Sequence, residues 1–106
     1  MKITTHDENK AVTLQIEGTV TRALVPELDR AWHGLVPFLG ERKLVVDLRG
    51  VTFLDASAKT ILAEIHAQTG AEFRADTPLT KYFADEARQG PRENWKVRNG
   101  RIRRTS

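Results

Sequence analysis

Three side chains that could do chemistry stand close together at one point of the chain: Asp55, Ser57 and Lys59. They follow an apolar run and precede apolar residues at helical spacing, so Ser57 is expected in or near the first turn of a helix. A helix N-terminus carries unpaired N–H groups and a partial positive charge, which favour a carboxylate or a phosphate. Asp55 is expected to cap the helix or to orient Ser57 toward a partner. Judged on its own, Ser57 is a first-turn or capping hydroxyl.

Catalysis finds little support around this serine. Ser57 lacks the Gly-x-Ser-x-Gly context of a hydrolase nucleophile. The nearest histidine that follows it, His66, is nine residues on, which is roughly 13 Å along one helix and beyond hydrogen-bond reach. His6, His33 and His66 are isolated, and no phosphate-binding glycine pattern is present. We therefore expect no enzymatic activity, no metal and no cofactor.

The first half of the chain predicts the strands and the helix that lead up to this junction. Alternation over 12–17 predicts a strand with one polar face, paired with residues 2–5 and ended by Gly18. Helical spacing between 24 and 35 predicts a helix that begins near Pro26 and buries Trp32. The apolar run 44–46 predicts a strand over 43–48 that is buried on both faces. We expect a turn through Asp47 to Gly50 and a second apolar step, Val51–Leu54.

The second half predicts two more helices around a short strand. A helix over 56–68 should end at Gly70, and the alternation over 71–75 suits an edge strand. The last helix should have Thr77 or Asp76 as its N-cap and Pro78 at its first position. Its expected core residues are Leu79, Tyr82, Phe83 and Ala87. The order β-β-α-β-α-β-α predicts an α/β domain, in which helices pack on a mixed four-stranded sheet.

The composition sets outer limits on the type of protein. A length of 106 residues suits one domain, and the absence of cysteine excludes disulfides and thiolate metal sites. No apolar run approaches the ~20 residues of a membrane span. The N-terminal residues lack the apolar core of a signal peptide. These features lead us to expect a cytoplasmic protein without membrane insertion.

Charge divides the chain into a body, residues 1–90, and a basic tail, residues 91–106. From Arg88 to Ser106 there are seven Lys or Arg and one acid, whereas the preceding residues carry ten basic and thirteen acidic side chains. The pair Asn99-Gly100 favours a small hairpin, although a flexible end is an alternative. The tail could bind nucleic acid or anionic lipid, or could dock on the acidic body.

The central stretch resembles the signature of the STAS domain, found in bacterial anti-sigma-factor antagonists and in the tails of sulfate transporters. That signature is an apolar strand, then Asp-Leu-x-x-Val-x-Phe-x-Asp, then small and hydroxyl residues that open a helix. The matching residues are Asp47, Leu48, Val51, Phe53, Asp55 and Ser57. The resemblance covers roughly residues 2–88, because STAS domains share the predicted order of elements. Ala56, Ala58 and Lys59 depart from the usual hydroxyl, glycine and apolar residues.

The resemblance implies a single STAS-like domain with a regulatory function. In the antagonists, the serine or threonine two residues after the last Asp of the signature is phosphorylated by a partner kinase, and by position that residue is Ser57. The implied partner is an anti-sigma serine kinase. The implied partner-binding residues are Asp55, Ala56, Ser57, Ala58, Lys59 and Ile61. Two alternatives are a STAS subunit or scaffold of a transporter or signalling complex that is never phosphorylated, and a nucleic-acid-binding module that works through the tail.

Overall fold

The computed structural model describes residues 1–89, which form a two-layer α/β fold. Four strands pair in the order β1-β2-β3-β4, with β1 and β2 antiparallel and the other pairs parallel. The strands are Lys2–Asp7 (β1), Ala11–Val20 (β2), Lys43–Leu54 (β3) and Glu72–Arg74 (β4). The helices are Val25–Leu39 (α1), Ala56–Thr69 (α2) and Pro78–Gln89 (α3), and a single 3-10 turn, Arg22–Leu24, precedes α1. The predicted fold class and order of elements are confirmed.

One core joins the helices to one face of the sheet. Alternating residues of β2 and β3 share that face with the buried residues of all three helices; those strand residues are Leu14, Ile16, Leu44, Val46 and Leu48. Trp32 is buried in this core, as predicted. The opposite face carries polar residues such as Gln15 and Asp47, which are paired in register. Among the described residues, no helix is long and apolar enough to cross a membrane.

Both parallel strands differ from prediction near their carboxyl ends. Gly18 does not end β2, because its φ of 88° lets the strand pass an irregularity and continue to Val20. The turn expected from Asp47 to Gly50 is wrong, since β3 is one strand from Lys43 to Leu54. Two register shifts, between Gln15 and Glu17 and between Gly18 and Thr19, each take up one extra residue of β3 instead. As a result, Asp55 directly follows the end of β3, which is an inner strand of the sheet.

The core-facing side of α3 also differs from prediction. Its buried residues are Thr80, Phe83, Ala84 and Ala87, which recur at helical spacing. Leu79 and Tyr82 were expected in the core but are 45% and 52% exposed, because they lie on the adjoining stripe of the helix. Thr77 begins the helix by accepting a hydrogen bond from the Thr80 amide at 3.1 Å. The hairpin expected at Asn99-Gly100 lies outside the described residues.

Candidate functional site

Asp55 fixes the junction between β3 and α2. Its backbone is extended (φ −84°, ψ −179°), and its Oδ1 accepts a hydrogen bond from the Ala58 amide at 2.9 Å. Its Oδ2 accepts a second from the Arg22 amide at 2.7 Å. The backbone amide of Ala58, followed by those of Arg22 and Ser57, holds the pKa of this carboxyl below its usual value. Asp55 is therefore the expected N-cap, and it also ties α2 to the turn before α1.

Ser57 occupies the second helical position of α2, two residues after the cap. Its side chain is partly buried, and its hydroxyl has no hydrogen-bond partner within residues 1–89. Asp55 contacts the backbone amide of Ser57 rather than its hydroxyl. Ser57 is thus a first-turn residue but not the cap, and its hydroxyl is free to react or to bind. The alternative in which Asp55 orients this hydroxyl has no contact to support it in the described chain.

Lys59 reaches across to α3 rather than toward Ser57. Its Nζ lies 3.4 Å from Glu86 Oε1 and over the rings of Tyr82 and Phe83, 5.5 and 5.4 Å from their centroids. The Tyr82 hydroxyl donates to Glu86 Oε2 at 3.0 Å. Residues two apart on a helix point to different faces, so Lys59 and Ser57 diverge. The Lys59 ammonium therefore stabilises the α2–α3 contact.

The remaining predicted partner-binding residues fall into two groups. Ala56 is exposed at the first helical position, beside Ser57. Ala58 and Ile61 are buried in the core, with exposed fractions of 0% and 5%. Because their side chains pack inward, they are not available to a partner, and the expectation that they belong to the binding surface is corrected. Thr60 is exposed instead, and its hydroxyl donates to the Ala56 carbonyl at 3.0 Å.

Three features near the site were not foreseen. Phe53, a residue of the signature, is 50% exposed two positions before the cap. Tyr82 adds a second exposed ring and contacts Lys59. Arg22 contributes a backbone amide, which gives no side-chain signal in the sequence. The candidate surface is therefore redrawn around Ser57; it consists of Phe53, Asp55, Ala56, Ser57 and Thr60.

Asp47, the first signature residue, has a structural role on the polar face of β3. Its Oδ1 accepts hydrogen bonds from the Arg49 amide and Nε, both at 3.0 Å, and its Oδ2 accepts one from Arg49 Nη2 at 2.9 Å. Only 4% of Asp47 is exposed. The Arg49 guanidinium lowers the pKa of this carboxyl, and Arg74 adds a smaller attraction. This pairing stabilises β3 at the point where its register with β2 shifts.

Comparisons with known proteins support the fold only. No family model matches the chain, and no curated protein matches it. Among the solved structures, a crystal structure of Mglu superposes with a TM-score of 0.57 at 20% identity, covering 71% of this chain and 19% of that one. Mglu in its native form in 4.3 M NaCl covers 71% of this chain and 26% of that one at 16% identity, with a TM-score of 0.44. This chain thus spans about a fifth to a quarter of each, and at this identity the first similarity shows a shared α/β arrangement alone.

Proposed function

We propose that the chain is a STAS-like regulatory domain that binds an anti-sigma serine kinase and releases it when Ser57 is phosphorylated. One observation joins the sequence resemblance in supporting this function. Ser57 is partly exposed at the start of α2, and no hydrogen bond within residues 1–89 engages its hydroxyl. A hydroxyl with only a structural role in a first turn would be expected to bond to the backbone.

A phosphate on Ser57 should leave the fold intact, because of where Ser57 lies in α2. A phosphoserine carries about −1.5 to −2 charge, and the first turn of a helix attracts negative charge. The cap hydrogen bonds are made by Asp55, so modification of Ser57 breaks none of them. A dianion between Ala56 and Thr60 would act on an exposed surface instead. Repulsion and desolvation at that surface would then release a bound partner.

Phosphorylation provides the direct test. The protein is incubated with ATP and a candidate anti-sigma serine kinase from the same genome, and its intact mass is measured. We expect the gain of one phosphate, its loss in Ser57→Ala and its retention in the matched variant Thr60→Ala. A phosphate that survives Ser57→Ala, or no gain with an active kinase, contradicts the proposal.

A second candidate function is that of a scaffold or transporter subunit that is not phosphorylated. The exposed rings of Phe53 and Tyr82 favour it, because they offer apolar contact without any change at Ser57. Copurification with a transporter ATPase would support this function. In that case Phe53→Ser should abolish binding, whereas Ser57→Asp should leave binding within about threefold, a difference of under 1 kcal/mol.

A further inference from the structure

In the described part of the chain, strand β1 leaves one edge of the sheet open. Within residues 1–89 it pairs only with β2, and its six residues include no proline or glycine. An open edge presents a row of unpaired N–H and C=O groups that can add another strand. The other edge, β4, has only three residues, and the described chain ends on the helix packed against it. The β1 edge is therefore the longer of the two open edges.

The hydrogen-bond pattern shows which groups of β1 face outward. The Glu8 amide donates to the Ala11 carbonyl at 3.0 Å, which places Glu8 opposite Ala11 in the β1–β2 register. In antiparallel pairs, hydrogen-bonded positions alternate. The even residues of β1 therefore bond to β2, and the odd residues direct their N–H and C=O groups to the open edge. Those odd residues are Ile3, Thr5 and Asp7.

Symmetry limits how two such edges can pair. A two-fold axis perpendicular to the sheet makes the two β1 strands antiparallel and keeps both helical layers on one side. The outward-facing rows can meet in registers centred on Thr4, on Thr5 or on His6. The first places Lys2 opposite His6 of the second copy, and the second places Lys2 opposite Glu8 of the second copy. Only the register centred on Thr5 pairs oppositely charged side chains, and it does so twice.

An exposed aromatic residue lies at the end of α1 that Arg42 links to the end of β1. Phe38, in the last turn of α1, is 72% exposed. Arg42 donates to the Phe38 carbonyl and to the Asp7 carboxylate, and also to the Glu8 carbonyl at 3.1 Å. These bonds hold the end of α1 against the end of β1. In the register centred on Thr5, Asp7 lies opposite Ile3 of the second copy, so the end of α1 in one copy is brought toward the start of β1 in the other.

We infer that a second copy of this chain binds along β1, so that the two sheets join into one of eight strands. The unpaired row of the edge, the Lys2–Glu8 charge complementarity and the position of Phe38 all lead to this occupant. The pairing makes no use of Ser57 and is independent of the proposed function. Arg42 neutralises Asp7 in each copy, so Ile3 does not meet an uncompensated charge.

Charge reversal tests the register directly. Sedimentation equilibrium of the full chain should show a dimer whose population rises with concentration. Lys2→Glu and Glu8→Lys should each weaken association about tenfold or more, because each creates two like-charge pairs, and the double variant should restore it. A double variant no tighter than the single variants overturns the register. A wild-type chain that stays monomeric at the highest soluble concentration overturns the dimer and leaves the edge bare or paired with another protein.

Two further variants separate the edge from other surfaces. Thr5→Pro removes an outward N–H and no β1–β2 hydrogen bond, so it should abolish the dimer while the circular dichroism spectrum is kept. Phe38→Ser should weaken the dimer, whereas Leu79→Ser, at an exposed apolar residue of α3, should not. Dimerisation unchanged by both Thr5→Pro and Phe38→Ser would assign the interface to another face. If Thr5→Pro fails to fold, the charge series alone decides the question.

Discussion

The carboxylate of Asp55 and the backbone amide of Arg22 are joined by a 2.7 Å hydrogen bond across 33 residues of sequence. This bond links the start of α2 to the turn that precedes α1. Replacing Asp55 with alanine removes it together with the N-cap, and we expect the melting temperature to fall by about 5 °C or more. Asp55→Asn should be intermediate in stability, because its single amide oxygen can still cap at the Ala58 amide, whereas its NH2 group cannot accept from the Arg22 amide. Thermal unfolding followed by circular dichroism makes the comparison, with the exposed Asp85→Ala as control.

Low pH should reduce the free energy of unfolding, because it protonates Asp47. The Arg49 guanidinium holds the pKa of this carboxyl below its ordinary value of 3.8. A carboxyl with a lowered folded-state pKa stabilises the fold above the unfolded pKa, and this stability is lost as the pH falls through the folded value. Urea unfolding at a series of pH values from neutral to below 3.8 should therefore show a steeper loss in wild type than in Asp47→Asn. Equal slopes in the two proteins would contradict a stabilising role for the pair.

Charge at two neighbouring positions of α2 should have opposite consequences. Ser57→Asp places a carboxylate on the partly exposed first turn, so we expect the melting temperature to stay within about 4 °C of wild type. Ala58→Asp places one in the core, where the exposed fraction is 0%, and it should destabilise by more than about 3 kcal/mol. Chemical denaturation of both variants tests the pair. A large loss in Ser57→Asp would show that Ser57 is structural and would argue against the phosphorylation proposal.

The contact between α2 and α3 should depend on Lys59 and Glu86. Glu86 Oε1 is buried and has no hydrogen-bond partner in the described chain, so the nearby Lys59 ammonium provides its main compensation. We expect a double-mutant cycle of Lys59→Met and Glu86→Gln to give a coupling of about 0.5–1 kcal/mol. Denaturant unfolding measures each corner of the cycle. Lys81→Met, on the exposed side of α3, should show no comparable coupling to Glu86→Gln.

A separate prediction concerns the basic tail, which lies outside the described residues. If it binds nucleic acid, replacing Arg98, Arg101, Arg103 and Arg104 with glutamine should abolish that binding. Wild-type affinity should fall steeply between ~50 and ~200 mM salt, because phosphate contacts release counterions. Fluorescence anisotropy with a labelled oligonucleotide measures both effects. Binding that is insensitive to salt would exclude this route.

Local patterns predicted most of the fold because their physical causes are local. Gly70 ends α2 in the left-handed conformation, and the hairpin partner of β2 follows directly from the short connection between the strands. The irregularities of β2 and β3 were not predictable, since they depend on how two distant strands align. The burial of Thr80 was missed because its hydroxyl satisfies itself within the turn, donating to the Thr77 carbonyl and accepting from the Asp76 amide.

The candidate site was predicted in part for the same reason. Asp55 could be recognised as a cap because capping follows from residue type and position. Ala58 and Ile61 were assigned to the surface by analogy, but the helix turns them into the core. The Arg22 contact uses only the backbone, which every residue except proline offers. Tertiary placement, rather than residue type, therefore decides which residues form the redrawn surface.

The mixed pairing of β2 sets an order for folding. Its hairpin with β1 closes over three residues, an event of about 1–10 μs in isolated hairpins. Its parallel pairing with β3 must instead span α1, so it carries a larger entropic cost of loop closure and should be the slower step. During that interval the second edge of β2 is open. A newly synthesised chain is therefore open to incorrect strand pairing along β2, which becomes an inner strand of the folded sheet.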